Sequence, residues 1–285
     1  MIYQNNLDLT PYNSYRIHCI AKKAYFPESE SEICELLRNL DNVVIIGGGC
    51  NVIFSKEVYE TENFVFLRNN YAGASLIEEN LIQCHSGTDL QDVSLFALEK
   101  GLSGFEIYYD IPGTIGGAVV MNAGAQGEDF AHLLESVIVY DKHKSCIRVL
   151  EKSVLGYDYR NSLFLDNSNL FILSATIRLT KGCRQQIREK MLLTKVKRWE
   201  KQPREYPSAG SVFKRPVGCY VGPMIEELDL KGYSIGDAQI SEKHGGFVVN
   251  KGHATGEDLV KLIQYVKSKV YEKYKIDLSV EQRII

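Results

Sequence analysis

Residues 101–127 read GLSGFEIYYDIPGTIGGAVVMNAGAQG, and this glycine-rich stretch decides which fold the chain adopts. Glycine tolerates positive φ angles and lets the backbone approach a ligand closely, and successive bare N–H groups form a concavity that binds anions. We expect an apolar strand at 118–121, with a backbone-exposing turn before it at 113–117 and another after it at 122–125. A crossover between strands would explain one such turn, whereas two turns around one strand favour a ligand. The stretch therefore predicts a cradle for a phosphate-bearing cofactor.

A second glycine-rich turn lies earlier in the chain. The apolar run 42–46 predicts a short buried strand that leads into GGGCN at 47–51. This turn is not a Walker loop, because no Lys-Ser/Thr pair follows, and it lacks the G-x-G-x-x-G spacing of a Rossmann turn. Alone it fits a plain hairpin as well as a nucleotide site. A dinucleotide pyrophosphate needs donors from more than one loop, so the two stretches together favour a dinucleotide.

Composition excludes several classes of protein. The 285 residues suffice for one large domain or two to three small ones, and 45% of them are hydrophobic. The net charge of −3 gives no general attraction to nucleic acid. Seven cysteines without a C-x-x-C pair and six scattered histidines argue against disulfides and against a metal site. With no signal pattern and no membrane-spanning apolar run, we expect a cytoplasmic protein without a membrane partner.

Periodicity and capping patterns predict the other elements. Capping residues predict helices that begin at Ser29, Thr88 and Thr255, and Gly101 should end the second of them. Apolar runs, some of them alternating, predict strands at 64–67, 81–84, 137–141, 171–179, 238–241 and 247–250.

A basic region lies between residues 181 and 215, where eleven Lys/Arg accompany three Asp/Glu. Residues 184–201 can form a helix with Ile187, Met191 and Trp199 inward, so the charge fits a solvated face as well as attraction for an anionic substrate. The loop that follows places the hydroxyl of Ser211 beside small residues and two cations.

Two further polar residues occur in unusual surroundings. Arg160 follows two tyrosines in GYDYRNS at 156–162, where it would be either a surface residue or a bidentate partner for a carboxylate. Glu281 lies in the partly apolar tail at 278–285, where a glutamate is normally exposed and without a role.

Together these motifs resemble one family, the UDP-N-acetylenolpyruvoylglucosamine reductases, also called UDP-N-acetylmuramate dehydrogenases. The resemblance runs through nearly the whole chain. Its carriers are NSYRIHCIAKKAYFP, IIGGGCNVIF, GLSGFEIYYDIPGTIGGAVVMNAGAQG, YDYRNSLF, QPREYPSAGSVFKRP, GDAQISEKHGGFVVNKGHATGEDLVKLI and LSVEQRII. Only about fifty residues separate Arg160 from Ser211, which resembles the shorter class of these enzymes, without an extra substrate-covering segment.

The resemblance implies an α+β fold. It consists of an FAD-binding fold of the vanillyl-alcohol-oxidase type in two subdomains, here 1–60 and 61–182, and a C-terminal α+β substrate-binding domain at 183–285. The implied reaction reduces the enolpyruvyl ether of a UDP-sugar with NADPH and gives the lactyl group of muramic acid for peptidoglycan. FAD would be bound non-covalently, and we expect a monomer whose partners are the UDP-sugar and NADPH.

The family match also assigns roles to residues. Arg160 and Glu281 would stabilise the charge that develops on the substrate, and Ser211 would protonate it. Substrate binding is expected of Tyr159, Lys214 and Arg215. Cofactor binding is expected of residues in the two glycine-rich stretches: Ile46, Gly47, Gly48, Gly49, Cys50, Asn51, Pro112, Gly113, Thr114, Gly116, Gly117, Asn122, Ala123 and Gly124.

Some positions depart from the family pattern. Cys50 replaces the usual serine, Cys19-Ile20 replaces a glycine pair, and Tyr109-Asp110 replaces Ala-Gly. The carboxylate of Asp110 would repel a nearby pyrophosphate unless it is paired. These changes concern contacts with the flavin and leave the catalytic motifs intact.

Two other functions remain open. One is a flavin oxidase of the same superfamily that acts on an alcohol; such enzymes often tether FAD through His or Cys, and the glycine-rich stretches offer Cys50 but no histidine. The other is a degenerate paralogue that binds FAD or a nucleotide sugar as a sensor. Loss of Arg160, Ser211 or Glu281 would have supported it, and all three are present.

Overall fold

The computed structural model, which describes all 285 residues, contains helices interspersed among runs of consecutive strands. Contacts divide the chain into two compact units, each made of three separate pieces. Unit 1 consists of Met1–Gln4, Lys23–Gly48 and Glu62–Lys197, and unit 2 consists of Asn5–Lys22, Gly49–Thr61 and Arg198–Ile285. The domain boundaries expected after residues 60 and 182 stay a prediction. None of the helices combines the length and the apolar character needed to cross a bilayer.

The elements are numbered in chain order. The strands are β1 (Ile2–Asp8), β2 (Ile20–Phe26), β3 (Val43–Ile46), β4 (Val52–Ile53), β5 (Val58–Phe66), β6 (Ala74–Glu78), β7 (Leu81–His85), β8 (Leu102–Ser103), β9 (Gly124–Ala125), β10 (Glu128–Asp129), β11 (Leu134–Asp141), β12 (Cys146–Glu151), β13 (Leu170–Arg178), β14 (Thr180–Lys181), β15 (Ser234–Ile235), β16 (Ala238–Ile240), β17 (Val248–Asn250) and β18 (Arg283–Ile284). The α-helices are α1 (Glu30–Asn39), α2 (Leu90–Lys100), α3 (Ile115–Met121), α4 (Leu163–Asp166), α5 (Arg184–Lys201), α6 (Val221–Glu227) and α7 (Gly256–Tyr274).

The largest sheet of unit 1 has five antiparallel strands in the order β12-β11-β13-β7-β6. Successive side chains of a strand point to opposite faces. On β11, Val137 and Val139 belong to the apolar cluster formed with α2 and α3, whereas Tyr140 packs with Ile33 and Leu37 of α1. The sheet therefore buries both faces, and this accounts for its high content of valine and isoleucine. A further sheet has the order β1-β2-β5-β3, in which β3 and β5 are parallel.

Unit 2 is built around α7 and a small sheet with the order β15-β16-β17. The apolar stripe of α7 is buried at helical spacing, through Leu259, Leu262, Ile263, Val266 and Val270. The C-terminal strand β18 pairs in parallel with β4, with Arg283 opposite Val52. Because of this pairing, the last residues of the chain are fixed in unit 2.

Two of the three predicted helix starts are confirmed at the capping residue. Ser29 Oγ accepts a hydrogen bond from Glu32 N (3.3 Å), and Thr255 with Asp258 forms a full capping box. The prediction for α2 is wrong by one residue: Asp89 is the N-cap, while Thr88 Oγ1 donates to Gly73 O. The carboxylate of Asp89 instead accepts a hydrogen bond from Arg68 Nη2 at 2.8 Å. As predicted, α2 ends at Gly101, which has φ 68°.

The strand expected at 118–121 is wrong, because this segment is the second half of α3. The buried residues Ile115, Ala118 and Val119 follow the i, i+3, i+4 spacing of a helix face. A short apolar run does not distinguish a strand from a buried helix, and here two glycines concealed the helical period.

Helix α5 confirms the basic helix predicted at 184–201, with one correction. Ile187 and Met191 are buried, as expected, but Trp199 is 49% exposed and does not face inward. The buried residues of the helix, Ile187, Met191 and Thr194, are spaced by three or four residues and therefore lie on one face. Trp199 follows Thr194 by five residues, so it does not lie on this face.

Candidate functional site

The two predicted glycine-rich stretches meet within unit 1. A Cβ atom on Gly47 would lie 2.3 Å from Thr114 Oγ1, so this approach depends on glycine. Gly116 N donates to Ser86 O at 2.8 Å, and a Cβ atom there would lie 3.0 Å from Ser86 Cβ. We call Gly47, Ser86, Gly113, Thr114 and Gly116 the glycine cradle. Four of its members were predicted, whereas Ser86 carries no signal in the sequence.

Two hydroxyl groups of the glycine cradle are buried without a hydrogen-bond partner, Ser86 Oγ and Thr114 Oγ1. A buried polar group left unpaired costs about 1–3 kcal/mol, so such a group calls for an explanation such as a ligand atom. Beside them, Gly113 has φ 134° and nothing within 4 Å of the place where a Cβ would be. Hydroxyl donors and an open backbone fit the pyrophosphate or flavin of a dinucleotide cofactor. The cradle therefore fits FAD.

The remaining predicted cofactor residues of the first turn occupy varied positions. Ile46 is buried at the end of β3, and Gly48 is half-buried. In unit 2, Gly49 has φ 64°, and a Cβ there would lie 2.0 Å from Tyr12 O. Asn51 Nδ2 donates to Glu281 O at 3.2 Å, so this residue holds the C-terminal tail. Their contacts with a cofactor stay a prediction, as do those of half-buried Cys50 and exposed Pro112 and Gly117.

Arg160 is held by the turn that follows α3. Its Nη1 donates to Asn122 O at 2.9 Å and its Nη2 to Gly124 O at 2.7 Å. The backbone at Arg160 is left-handed, with φ 52°, and its guanidinium lies 5.3 Å from the ring centre of Tyr159. Because two carbonyls and a ring fix the guanidinium plane, Arg160 is not the freely moving surface residue of the alternative interpretation.

Asn122 and Gly124 have structural roles that the sequence did not reveal. Asn122 is 1% exposed; its Nδ2 donates to Asp158 O at 3.0 Å and its Oδ1 accepts from Ala131 N at 2.9 Å. A Cβ on Gly124 would lie 2.1 Å from Glu128 O, across the β9-β10 hairpin. These residues shape the support of Arg160. Their predicted cofactor contacts, and that of Ala123, stay a prediction.

Ser211 and Glu281 lie on neighbouring segments of unit 2. Ser211 forms an isolated bridge with Phe247, and the next residue, Val212, accepts a hydrogen bond from Glu281 N at 2.8 Å. Lys214 N donates to Ser279 O at 2.9 Å. The structure thus aligns the loop that carries Ser211 with the tail that carries Glu281, which the sequence separates by 70 residues.

The tail also contains a buried residue that sequence reasoning missed. Gln282 is 4% exposed, accepts from Tyr15 Oη at 2.9 Å and donates to Ala209 O at 3.0 Å and to Gly210 O at 3.3 Å. A glutamine beside two charged residues in a terminal segment looks like a surface residue. Only the long-range hydrogen bonds identify it as part of the site.

The predicted substrate-binding residues are accessible. Tyr159 is 43% exposed, Lys214 is half-buried, and Arg215 is exposed with its guanidinium 5.3 Å from the ring centre of Tyr220. Exposed cations that are fixed by an aromatic ring remain available to an anionic ligand.

Burial and hydrogen bonding together set the charge of Tyr108, Tyr157 and Glu106. Burial raises the pKa of Tyr108 and of Tyr157, whose hydroxyls donate to Ala123 O (3.3 Å) and to Val119 O (3.1 Å). Burial also acts to raise the pKa of Glu106, but hydrogen bonds from Ser103 and the backbone, with nearby Lys190, bring it below its ordinary value. The two phenols therefore stay neutral, and the glutamate, which is the first residue of the 3₁₀ turn Glu106–Asp110, stays ionised.

Comparison with known proteins identifies the family. A family model described as the C-terminal domain of UDP-N-acetylenolpyruvoylglucosamine reductase matches residues 202–285, and one described as an FAD binding domain matches residues 21–143. The UDP-N-acetylenolpyruvoylglucosamine reductase of Francisella tularensis subsp. tularensis is 39% identical over 280 residues, covering 98% of this chain and 99% of that protein. The chain belongs to the UDP-N-acetylenolpyruvoylglucosamine reductase family.

Other members of this reductase family agree. The reductase of Fervidobacterium nodosum is 47% identical over 241 residues, covering 84% of this chain and 76% of the relative. A crystal structure of UDP-N-acetylenolpyruvylglucosamine reductase from Thermus caldophilus has a TM-score of 0.84 at 28% identity and covers 99% of both chains. The predicted α+β fold, with an FAD-binding part and a C-terminal reductase domain, is confirmed, and the chain is an FAD-containing oxidoreductase whose 285 residues fit the short form.

Proposed function

We propose that this chain reduces the enolpyruvyl ether of UDP-N-acetylglucosamine enolpyruvate to the lactyl ether of UDP-N-acetylmuramate, with NADPH as the hydride donor. The product serves peptidoglycan synthesis, and we place the reaction in the cytoplasm and on a monomer. The observation that carries the proposal is the fixed guanidinium of Arg160, in a member of this reductase family whose sequence also contains Ser211 and Glu281. It favours the reductase over a flavin oxidase or a sensor.

The glycine cradle and the turn at 46–51 would hold FAD, which supplies the hydride chemistry that side chains lack. Ser86 Oγ and Thr114 Oγ1 would donate to it, because each is buried and lacks another partner. The fourteen residues named from the sequence are proposed as its surroundings. We propose that no covalent bond is formed, so acid precipitation should release the yellow colour into the supernatant; a pellet that keeps the flavin would contradict this.

Arg160 and Glu281 would stabilise the negative charge that develops on the substrate beside its carboxylate. Arg160 is always cationic, and its planar fork can pair with a carboxylate. The two carbonyl bonds that hold it mean that its orientation is set before the substrate arrives. Glu281 can contribute only when it carries or shares a proton, because an ionised carboxylate would oppose the developing charge.

Ser211 would donate the proton that completes the reduction. An alcohol is a weak acid at neutral pH, yet it suffices against a strongly basic carbanion when it is positioned in advance. The backbone bond from Glu281 N to Val212 O holds the loop at the residue after Ser211. Protonation by Ser211 and the contribution of Glu281 to charge stabilisation would therefore come from adjacent segments of unit 2.

The UDP part of the substrate would bind to cationic and aromatic side chains. Lys214 and Arg215 follow Ser211 closely in the chain, and their charges would attract the diphosphate. Tyr159, exposed beside Arg160, would contact the sugar nucleotide with its ring and hydroxyl.

An anaerobic titration tests the proposal. NADPH added to the yellow holoprotein should bleach the flavin, and the enolpyruvyl UDP-sugar should then restore the colour. UDP-N-acetylglucosamine, which lacks the enolpyruvyl group, is the matched control and should leave the protein bleached. Failure of the enolpyruvyl sugar to restore the colour would refute the reductase.

A further inference from the structure

The tail of unit 2 contains a buried amide that the proposed chemistry does not use. Gln282 Nε2 donates to Ala209 O (3.0 Å) and to Gly210 O (3.3 Å), and Gln282 Oε1 accepts from Tyr15 Oη (2.9 Å). Both polar ends of this side chain therefore have partners in the interior of unit 2. A buried amide that is fully hydrogen-bonded fixes the groups around it.

These bonds reach the backbone immediately before Ser211. Gly210 has φ 80°, and the next residue is Ser211. On the other side, Val212 O accepts from Glu281 N at 2.8 Å. The consecutive residues Glu281 and Gln282 thus hold the chain one residue after Ser211 and one residue before it. We call this pair of attachments the Ser211 clamp.

We infer that Gln282 is a positioning residue, which sets the direction of the Ser211 hydroxyl relative to Glu281. The inference rests on the proposed function, in which Ser211 delivers a proton. Glycine allows a wide range of φ and ψ angles, so Gly210 is the residue at which the loop could turn if its carbonyl were released. A displacement of about 1 Å at a reacting group can cost roughly a hundredfold in rate. The clamp prevents that displacement.

The two carbonyls and Tyr15 together fix which way the amide of Gln282 faces. Ala209 O and Gly210 O can only accept, so they require the Nε2 group of the amide, and Oε1 is then left facing Tyr15. The side chain of Tyr15 is fully buried, and burial raises its pKa, so the hydroxyl keeps its proton and donates to Oε1. Tyr15 therefore supports Gln282 within the Ser211 clamp, and Gln282 holds Gly210.

The test compares the two half-reactions of the holoprotein in Gln282→Met, which keeps the length of the side chain but loses its polar ends. In anaerobic stopped flow, reduction of the flavin by NADPH should stay within about twofold of the parent rate. Return of colour with the enolpyruvyl UDP-sugar should be slowed roughly 10- to 100-fold, with a smaller change in KM. Amide hydrogen exchange in the segment 207–213 should become faster, because the carbonyls have lost their donors.

Gln239→Met is the matched control. The Gln239 amide also donates to a backbone carbonyl, that of Gly232 at 3.0 Å, and to Ser234 Oγ at 3.1 Å, but it touches neither the Ser211 loop nor the tail in these bonds. Both half-reactions of this variant should match the parent.

The variant Gln282→Glu distinguishes a role of Gln282 in positioning the Ser211 loop from a role in packing alone. A protonated glutamic acid can accept from Tyr15 and donate to a carbonyl, whereas the ionised form would repel the carbonyl oxygens. Return of colour in this variant should recover, relative to the parent, as pH falls from about 8 to about 6, since burial raises the pKa of the carboxyl. A defect that only loosens the packing would not recover with pH.

Each outcome of these measurements either supports or overturns the positioning role of Gln282. Parent-like half-reactions in Gln282→Met would overturn the inference and leave the proposed function standing, and equal slowing of both half-reactions would show a general packing role instead. If Gln282→Met loses FAD, Tyr15→Phe, which lacks only the orienting hydroxyl, replaces it under the same criteria. A parent protein whose colour does not return with the enolpyruvyl sugar would refute the proposed function itself.

Discussion

The glycine cradle of unit 1 and the Ser211 clamp of unit 2 place functional groups by opposite means. The cradle depends on absent side chains: a single added Cβ at Gly47 would come within 2.3 Å of Thr114 Oγ1. The clamp depends on a side chain that is present, since Gln282 supplies the donors for two carbonyls. An addition should therefore damage the first, and a removal should damage the second. The comparison predicts different defects for substitutions in the two regions.

The largest effect is expected from the residue that the clamp presents. Ser211→Ala should bleach with NADPH at nearly the parent rate, because that half-reaction delivers no proton to a substrate carbon. Return of colour with the enolpyruvyl sugar should be slowed by roughly 10²–10⁴-fold, the usual contribution of a positioned acid. Ser211→Cys should regain part of this loss, since a thiol is the stronger acid. Stopped-flow measurement of each half-reaction gives the comparison.

Ser208→Ala controls for loss of a hydroxyl elsewhere in the same loop and should resemble the parent in both half-reactions. If Ser211→Ala slows the two half-reactions equally, Ser211 supports the loop or the flavin and is not the proton donor.

A smaller loss is expected at the guanidinium of Arg160, which is held by the turn after α3. Arg160→Lys keeps the charge but loses the planar fork and the paired bonds to Asn122 O and Gly124 O. We expect return of colour to slow by roughly 10- to 100-fold and KM for the sugar to rise, because the remaining cation is less well oriented. Anaerobic stopped flow measures the return of colour, and steady-state kinetics at a fixed NADPH concentration measures turnover and KM.

Arg178→Lys is the matched control, since Arg178 pairs with Glu135 at 2.7 Å and is largely exposed. An Arg160→Lys variant with the turnover and KM of this control would mean that Arg160 has no part in the chemistry.

The cradle itself is tested by adding one methyl group. Gly47→Ala brings a Cβ against Thr114 Oγ1, and overpacking of this kind costs about 1–3 kcal/mol. We expect FAD affinity to fall roughly tenfold, which corresponds to about 1.4 kcal/mol. Titration of the apoprotein with FAD, followed by flavin fluorescence, measures the change.

Gly222→Ala is the control for an added methyl group, because its Cβ would meet nothing within 4 Å. It should bind FAD like the parent. An unchanged FAD affinity in Gly47→Ala would show that the cradle does not determine cofactor binding.

The difference between the two regions also explains what the sequence could reveal. Glycine is conspicuous because it supplies no side chain, so the clustering of glycines around Gly47, Gly113 and Gly116 is visible in the sequence itself. The clamp depends on contacts between residues far apart in the chain, and Gln282 beside Glu281 has no local pattern that marks it. Arg160, Ser211 and Glu281 stand out only through the family resemblance, since an arginine, a serine or a glutamate is common on any surface.

Local structure was harder to predict where two signals competed. Residues 118–121 are apolar enough for a strand, but the packing of Ile115, Ala118 and Val119 selects a helix. Trp199 has a large aromatic side chain, which favours burial, yet the helical period of α5 leaves it exposed. In both cases tertiary packing, which no short window contains, decides the outcome.

The smallest effect is expected at His244, in the loop that leads to Phe247. Phe247 forms the isolated bridge with Ser211. Burial lowers the pKa of His244, whose Nδ1 accepts from Gly246 N at 3.1 Å and whose ring packs against Phe247 at 4.7 Å. An unfolded histidine titrates near pH 6.5. Below this pH the unfolded chain takes up a proton that the folded His244 resists, so its contribution to stability is complete above pH 6.5 and is lost as pH falls toward the folded pKa.

His244→Asn keeps an acceptor for Gly246 N but cannot titrate. Between about pH 7.5 and about pH 5.5 the Tm of the parent should therefore fall by a few degrees more than the Tm of this variant. His143→Asn, at an exposed histidine, should retain the pH dependence of the parent. Differential scanning calorimetry of the three holoproteins measures the slopes. Equal slopes in the parent and in His244→Asn would mean that His244 is protonated in the folded protein as readily as in the unfolded chain, and that the hydrogen bond to Gly246 does not depend on a neutral ring.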